Sequence, residues 1–129
     1  MEGMTQRQPQ LDLRQHPRLR IPAPFACSFQ RRGLSKWIRG RHEGLGVVFD
    51  VSIKGAKVMS ETGIEPGEHM SVRLCLPNQI SPMTVEEAAV RWGKDQTYGL
   101  EFLNLSPVAE MRLRKFIAIA ERHGGQPLT

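Results

Sequence analysis

The sequence predicts a mainly β chain: a six-stranded antiparallel β-barrel with a C-terminal amphipathic α-helix and a flexible basic N-terminal arm. Three observations carry that expectation. Short runs of alternating apolar and polar residues recur between Gly46 and Leu103, separated by turn-forming Gly, Pro, Asp and Asn. After Ser106 the apolar period lengthens to that of a helix. Before the first strand the chain is rich in arginine and proline and lacks an apolar period.

The elements follow in order. Residues 1–10 are polar, contain Gly3 and Pro9, and read as a disordered tail. In LDLRQHPRLRIPA, residues 11–23, Pro17 and Pro22 bias His16 and Ile21 toward extended geometry, so this stretch is no regular helix. Pro24 to Gln30 alternates Phe25, Cys27 and Phe29 against Ala26 and Ser28, as a half-buried strand does. Gln30 to Glu43 is basic and glycine-punctuated and reads either as a long loop or as a short basic helix. Further strands are expected at 46–52, 56–60, 68–76, 84–92 and 98–103, with turns at 53–55, 63–67 and 94–97 and a loop at 77–82. Ser106 and Pro107 suit the N-cap and first position of a helix whose stripe is Leu113, Phe116, Ile117 and Ala120, with Gly124 and Gly125 as its stop. One domain over 11–123, with a tail at 124–129, accommodates all of these.

Length and composition agree. A chain of 129 residues with 40% hydrophobic and 24% charged residues can bury a core without disulfides or a structural metal. Cys27 and Cys75 are too few for a disulfide framework, although one bridge between them is compatible with the sequence. The first residues have no apolar core of the secretory type and no stretch approaches a membrane span, so a cytoplasmic protein without membrane insertion is expected. Residues 1–42 hold nine bases against two acids, a net of +7, and eight of those bases are arginine. Arginine's planar fork suits phosphates and guanine edges, which implies an anionic partner.

No catalytic constellation stands out, and no enzyme activity is expected. His16, His42, His69 and His123 are scattered, with none at metal or triad spacing. Gly44-Leu45-Gly46 precedes a strand instead of following one, unlike a phosphate loop. No metal or cofactor is expected.

Two constellations remain. Arg14-Gln15-His16-Pro17-Arg18 places two arginines up to about 13 Å apart when extended, a span that grips two points of a mid-sized anion. Taken alone it reads first as an exposed basic arm. Asp50-Val51-Ser52-Ile53-Lys54-Gly55 puts a carboxylate and a hydroxyl on one face of an extended stretch, followed by a glycine that permits positive φ or a close backbone approach to a ligand. Alone it reads first as an ordinary turn whose Asp and Ser bond the local backbone.

Together and in this order the two motifs resemble the PilZ domain, a bacterial receptor module for cyclic di-GMP marked by an RxxxR arm and a (D/N)xSxxG turn. The resemblance runs over about residues 11–122. It extends to Glu65-Pro66-Gly67 leading into SVRLCLP, to AVRW at Ala89–Trp92, to Gly99-Leu100-Glu101-Phe102 and to the closing helix. It implies that Arg14 and Arg18 grip phosphate or guanine, that Asp50 accepts from guanine N–H groups with Ser52 beside it, and that Gly55 keeps the turn low. Cyclic di-GMP would be the ligand, and ordering of the arm against the barrel would be the signal to an unknown downstream protein. Leu13 stands where many members carry a further arginine, which implies one ligand per chain. Arg20 and Lys54 complete the candidate set.

Trp92 reads as core or barrel wall ahead of a ligand-stacking residue. A basic barrel that binds nucleic acid or docks on a protein is the alternative. Nucleic acid is disfavoured because the basic third holds only Phe25, Phe29 and Trp37 as aromatics.

Overall fold

The computed structural model describes the backbone of residues 19–32, 43–122 and 126–127 and the side chains of 24–32 and 43–122. The strands are β1 (Leu19–Arg31), β2 (Glu43–Ser52), β3 (Gly55–Met59), β4 (His69–Leu74), β5 (Met83–Lys94) and β6 (Thr97–Asn104). They are followed by helix α1 (Pro107–Arg122) and a two-residue strand β7 (Gln126–Pro127). All pairings are antiparallel, in the order β2-β3-β6-β5-β4-β1-β7, and β1 also pairs with β2, so six strands form a closed barrel. Closure removes the unpaired edges that an open sheet would expose.

The long first strand makes the closure. Phe25 to Gln30 pairs with β2, and Cys27 to Arg31 pairs on the other side with β4. This strand begins earlier than its alternation suggests, because Leu19 and Arg20 pair with Val51 and Asp50 across a register shift that contains Pro22 and Pro24. Proline has no amide to give a ladder, so both fall where the ladder is already interrupted. In the segment expected as a tail, Gln126 and Pro127 pair with Arg20 and Leu19.

Inward positions alternate as the sequence pattern requires, with Val48, Val58, Val72, Leu74, Val85 and Leu100 among the buried members. Ser106 caps α1, its Oγ accepting from the Ala109 amide at 3.1 Å. The helix presents Ala109 and Leu113 to the barrel, and Phe116 stands edge-on to Phe25 with ring centroids 5.5 Å apart. The turn between β5 and β6 is the two-residue Asp95-Gln96, with φ of 53° and 64°, the mirror-image geometry that matches strand twist.

A bidentate ion pair joins the end of β1 to the turn before β4. Arg31 Nε and Nη2 donate to the Glu68 carboxylate at 2.7 and 2.8 Å, and the Glu65 amide donates to the same carboxylate at 2.6 Å. Burial by itself would raise the Glu68 carboxyl; the bonds from Arg31 and Glu65 outweigh it and hold the group below its ordinary range.

Both cysteines are free, Cys27 buried and Cys75 exposed. Burial pushes the Cys27 thiol up to about 12, and the nearby Cys75 adds to the effect. One thiol per chain is therefore expected to react with a bulky thiol reagent near pH 8 in the native protein, and both in denaturant. A native count of two would contradict the placement of Cys27.

Glu68→Gln is expected to cost about 1.5–3 kcal/mol at neutral pH, the range for hydrogen bonds to charged groups. Because the folded carboxyl binds its proton less readily than the unfolded one, the stabilisation is present above the ordinary glutamate pKa and is lost as pH falls through the lower folded value. Urea unfolding across the acid range should show a steep acid limb in wild type and a flatter one in Glu68→Gln.

Candidate functional site

The Asp50–Gly55 motif is the β2–β3 hairpin. Ser52 pairs with Gly55, Val51 with Ala56 and Asp50 with Lys57, leaving Ile53 and Lys54 as the two-residue turn. The turn is bonded from within and from without. Ser52 Oγ accepts from the Lys54 amide at 3.1 Å, and the Lys54 carbonyl accepts from the Phe102 amide at 2.8 Å.

Gly55 does not adopt positive φ. It is required by contact: a Cβ there would lie 2.2 Å from the Leu100 carbonyl oxygen. The close approach expected of this glycine is thus made to the backbone of β6. Glycine lets the hairpin lie flat on its neighbour.

Val51 is fully buried and belongs to the core, so Asp50 and Ser52 on either side of it share the outer face, as the spacing predicts. They reach that face through a bulge. Val48 pairs with Val58 but Asp50 pairs with Lys57, so Phe49 has no opposite number and the inward sequence steps from Val48 directly to Val51. Asp50 is nonetheless only 1% exposed. Its Oδ2 lies 3.5 Å from Lys57 Nζ.

Lys57 is itself flanked by aromatics, with Nζ 5.8 Å from the ring centroids of both Phe49 and Trp92. Trp92 reaches it by a second bulge, at Arg91 between Val90 and Trp92 of β5. The indole lies over Gly99, where a Cβ would stand 2.1 Å from Nε1. Trp92 is therefore an exposed residue of the barrel's outer wall and not part of its core.

Successive registers align these residues in one row: Arg20 opposite Asp50, Asp50 opposite Lys57, Lys57 opposite Gly99 and Gly99 opposite Trp92. Five strands contribute to it. Of the residues singled out from sequence, Asp50, Ser52, Lys54 and Gly55 come together in the hairpin, and the backbone of Arg20 runs beside Asp50. Leu13, Arg14 and Arg18 lie outside the described residues. Arg18 is one peptide away from Leu19, which pairs with Val51 between the two polar residues of the motif. Sequence reasoning passed over Lys57 and Phe49 and took Gly99 only as part of a strand. The signal for Lys57 was present, since a two-residue turn between Ser52 and Gly55 sets Lys57 opposite Asp50.

Among the described residues no cluster of three His, Cys, Asp or Glu side chains is placed to hold a metal ion. His69 pairs with Glu87, Nδ1 to Oε2 at 2.5 Å, on the barrel surface. No described helix is long and apolar enough to cross a membrane.

The family model of the PilZ domain matches residues 12–118. The chain belongs to the PilZ domain family. Solved structures share its fold. The PilZ domain with c-di-GMP of YcgR from Escherichia coli is 20% identical with a TM-score of 0.62, over 87% of this chain and 94% of that one. The crystal structure of YcgR in complex with c-di-GMP from Escherichia coli is 19% identical with a TM-score of 0.67, over 88% of this chain and 48% of that one. The Bacillus subtilis inhibitor of motility, MotI/DgrA, is 18% identical with a TM-score of 0.61, over 87% and 53%. This PilZ chain thus spans about half the length of those two proteins. No curated protein matches the sequence.

Within the PilZ barrel, Gly55→Ala is expected to act through packing. It should destabilise the fold by about 1–3 kcal/mol, the range for overpacking, with a lowered urea midpoint before any ligand is added. An unchanged midpoint would show that β6 yields at Leu100.

Proposed function

We propose that this chain is a receptor for cyclic di-GMP, acting as a cytoplasmic adaptor without enzyme activity of its own. The observation that carries the reading is the outer-face row: a carboxylate and a hydroxyl, Asp50 and Ser52, lie on either side of the residue that Leu19 pairs with, one peptide from Arg18. Family membership and the c-di-GMP complex of the YcgR PilZ domain support the choice of ligand.

The chemistry fits a dinucleotide with two phosphodiesters and two guanines. Arg14 and Arg18 supply planar forks for phosphate oxygens or for guanine O6 and N7. Asp50 accepts from guanine N1 and N2 hydrogens. Ser52, whose oxygen already accepts from the Lys54 amide, retains its hydroxyl proton to donate. Lys57 holds the Asp50 carboxylate in place from the adjacent strand, and the Phe49 and Trp92 rings confine Lys57 in turn. With Leu13 in place of a further arginine, one ligand binds per chain.

Charge-assisted bonds contribute roughly 1.5–3 kcal/mol each. Four or five of them, less the cost of ordering the arm, leave about −8 kcal/mol, a micromolar dissociation constant. Arm ordering against the barrel then changes the surface offered to a downstream protein.

Isothermal titration of cyclic di-GMP into the full chain is expected to give saturable binding at one ligand per chain, with none for GTP. Arg14→Ala/Arg18→Ala and Asp50→Ala should each weaken it about 100-fold or more. Lys57→Met should weaken it about tenfold and also lower the urea midpoint, because it removes a cation beside the nearly buried Asp50 carboxylate, whereas Lys57→Arg should do neither. Absence of heat well above micromolar ligand would overturn the receptor reading and leave the arm as a docking element for nucleic acid or an acidic protein.

A further inference from the structure

Helix α1 has two apolar faces, and the barrel accounts for one. Ala109, Leu113, Phe116 and Ile117 lie against the core. Roughly opposite, Val108, Met111, Lys115, Ile119 and Arg122 succeed one another at steps of three and four residues and so form one row, roughly 21 Å long at 1.5 Å per residue. The three apolar members are open to solvent: Val108 is 62% exposed, Met111 61% and Ile119 41%. Beside the first turns of the helix, Arg112 bonds the Gln79 side chain and the Ser81 and Pro82 carbonyls, tying down a loop on which Ile80 is fully exposed.

The charges around this surface are one-sided. The row contains Lys115 and Arg122 and no acid, and residues 77–82 contain no carboxylate. Among the described residues neither Lys115 nor Arg122 forms an ion pair, whereas Glu110 off the row is taken by Arg114 at 3.0 Å. A second copy of the chain fits poorly. Lys115 is the midpoint between Val108 and Arg122, so a two-fold antiparallel pairing on this row sets the Lys115 side chains of both copies together, and a parallel one also opposes the Arg122 pair.

We infer that this face of α1 is a docking surface for an acidic amphipathic helix of a partner protein. Val108, Met111 and Ile119 take the partner's apolar stripe, and Lys115 and Arg122 take carboxylates on its flanks. The inference is independent of the Asp50 hairpin and of its ligand.

The test uses the full chain and two synthetic 18-residue helical peptides with the same leucine stripe, one with glutamate and one with lysine on its flanks. Titration followed by NMR of the methionine and isoleucine methyl groups should show saturable binding of the glutamate peptide, at least tenfold tighter than the lysine peptide, with Met111 and Ile119 shifting. Lys115→Glu/Arg122→Glu should invert the preference. Met111→Asp should abolish binding while leaving the melting temperature and the cyclic di-GMP titration unchanged. Equal affinity for the two peptides, or binding indifferent to these substitutions, would overturn the inference. So would a dimer in light scattering that Met111→Asp dissociates, or binding of the row to phosphatidylglycerol vesicles in preference to the glutamate peptide.

Discussion

The register of the β2–β3 hairpin is the constraint on which the outer face depends. Two contacts determine it: the Ser52 hydroxyl takes the Lys54 amide inside the turn, and Gly55 lies flush against the Leu100 carbonyl. With the turn held at two residues, Asp50 must face Lys57, Val51 must face Ala56, and the polar pair Asp50 and Ser52 must share the outside of the barrel. A slip of one residue would carry the carboxylate into the core and Val51 into solvent.

Two bulges turn this register into a site. At Phe49 the extra residue brings Asp50 outward without displacing Val48 or Val51 from the core. The one at Arg91 does the same for Trp92, which then settles over Gly99. Lys57 between them touches both aromatic faces and the Asp50 carboxylate, so a nearly buried acid on the outer wall is balanced by a cation that is itself confined. Arrangements of this kind rely on the rigidity of a closed barrel, because each group is positioned by a different strand.

Much of this was legible in advance. The strands between Gly46 and Leu103 lie within a few residues of their expected places because each turn has its own chemistry: Gly67 at φ 96°, Asp95 and Gln96 in left-handed geometry, and the Ser52–Gly55 pair. The helix was equally legible, since Ser106 caps it and its stripe meets the barrel. The start of β1 was not. The strand alternation begins only at Pro24, and only the pairing of Leu19 and Arg20 with β2 extends the strand back past Pro22. The part played by Gly55 was legible as a close approach but not as one to β6, because Leu100 is forty-five residues away in the chain.

Alternation, turn residues and one change of period determined the strand count, the helix and the inward positions, because these depend on contacts a few residues apart. The RxxxR and DxSxxG motifs likewise identified the family from sequence alone. The row of Arg20, Asp50, Lys57, Gly99 and Trp92 was decided only by tertiary structure. Its members come from five strands, and their alignment depends on two bulges and on barrel closure through β1. Those depend on long-range pairing, whose register no local pattern specifies.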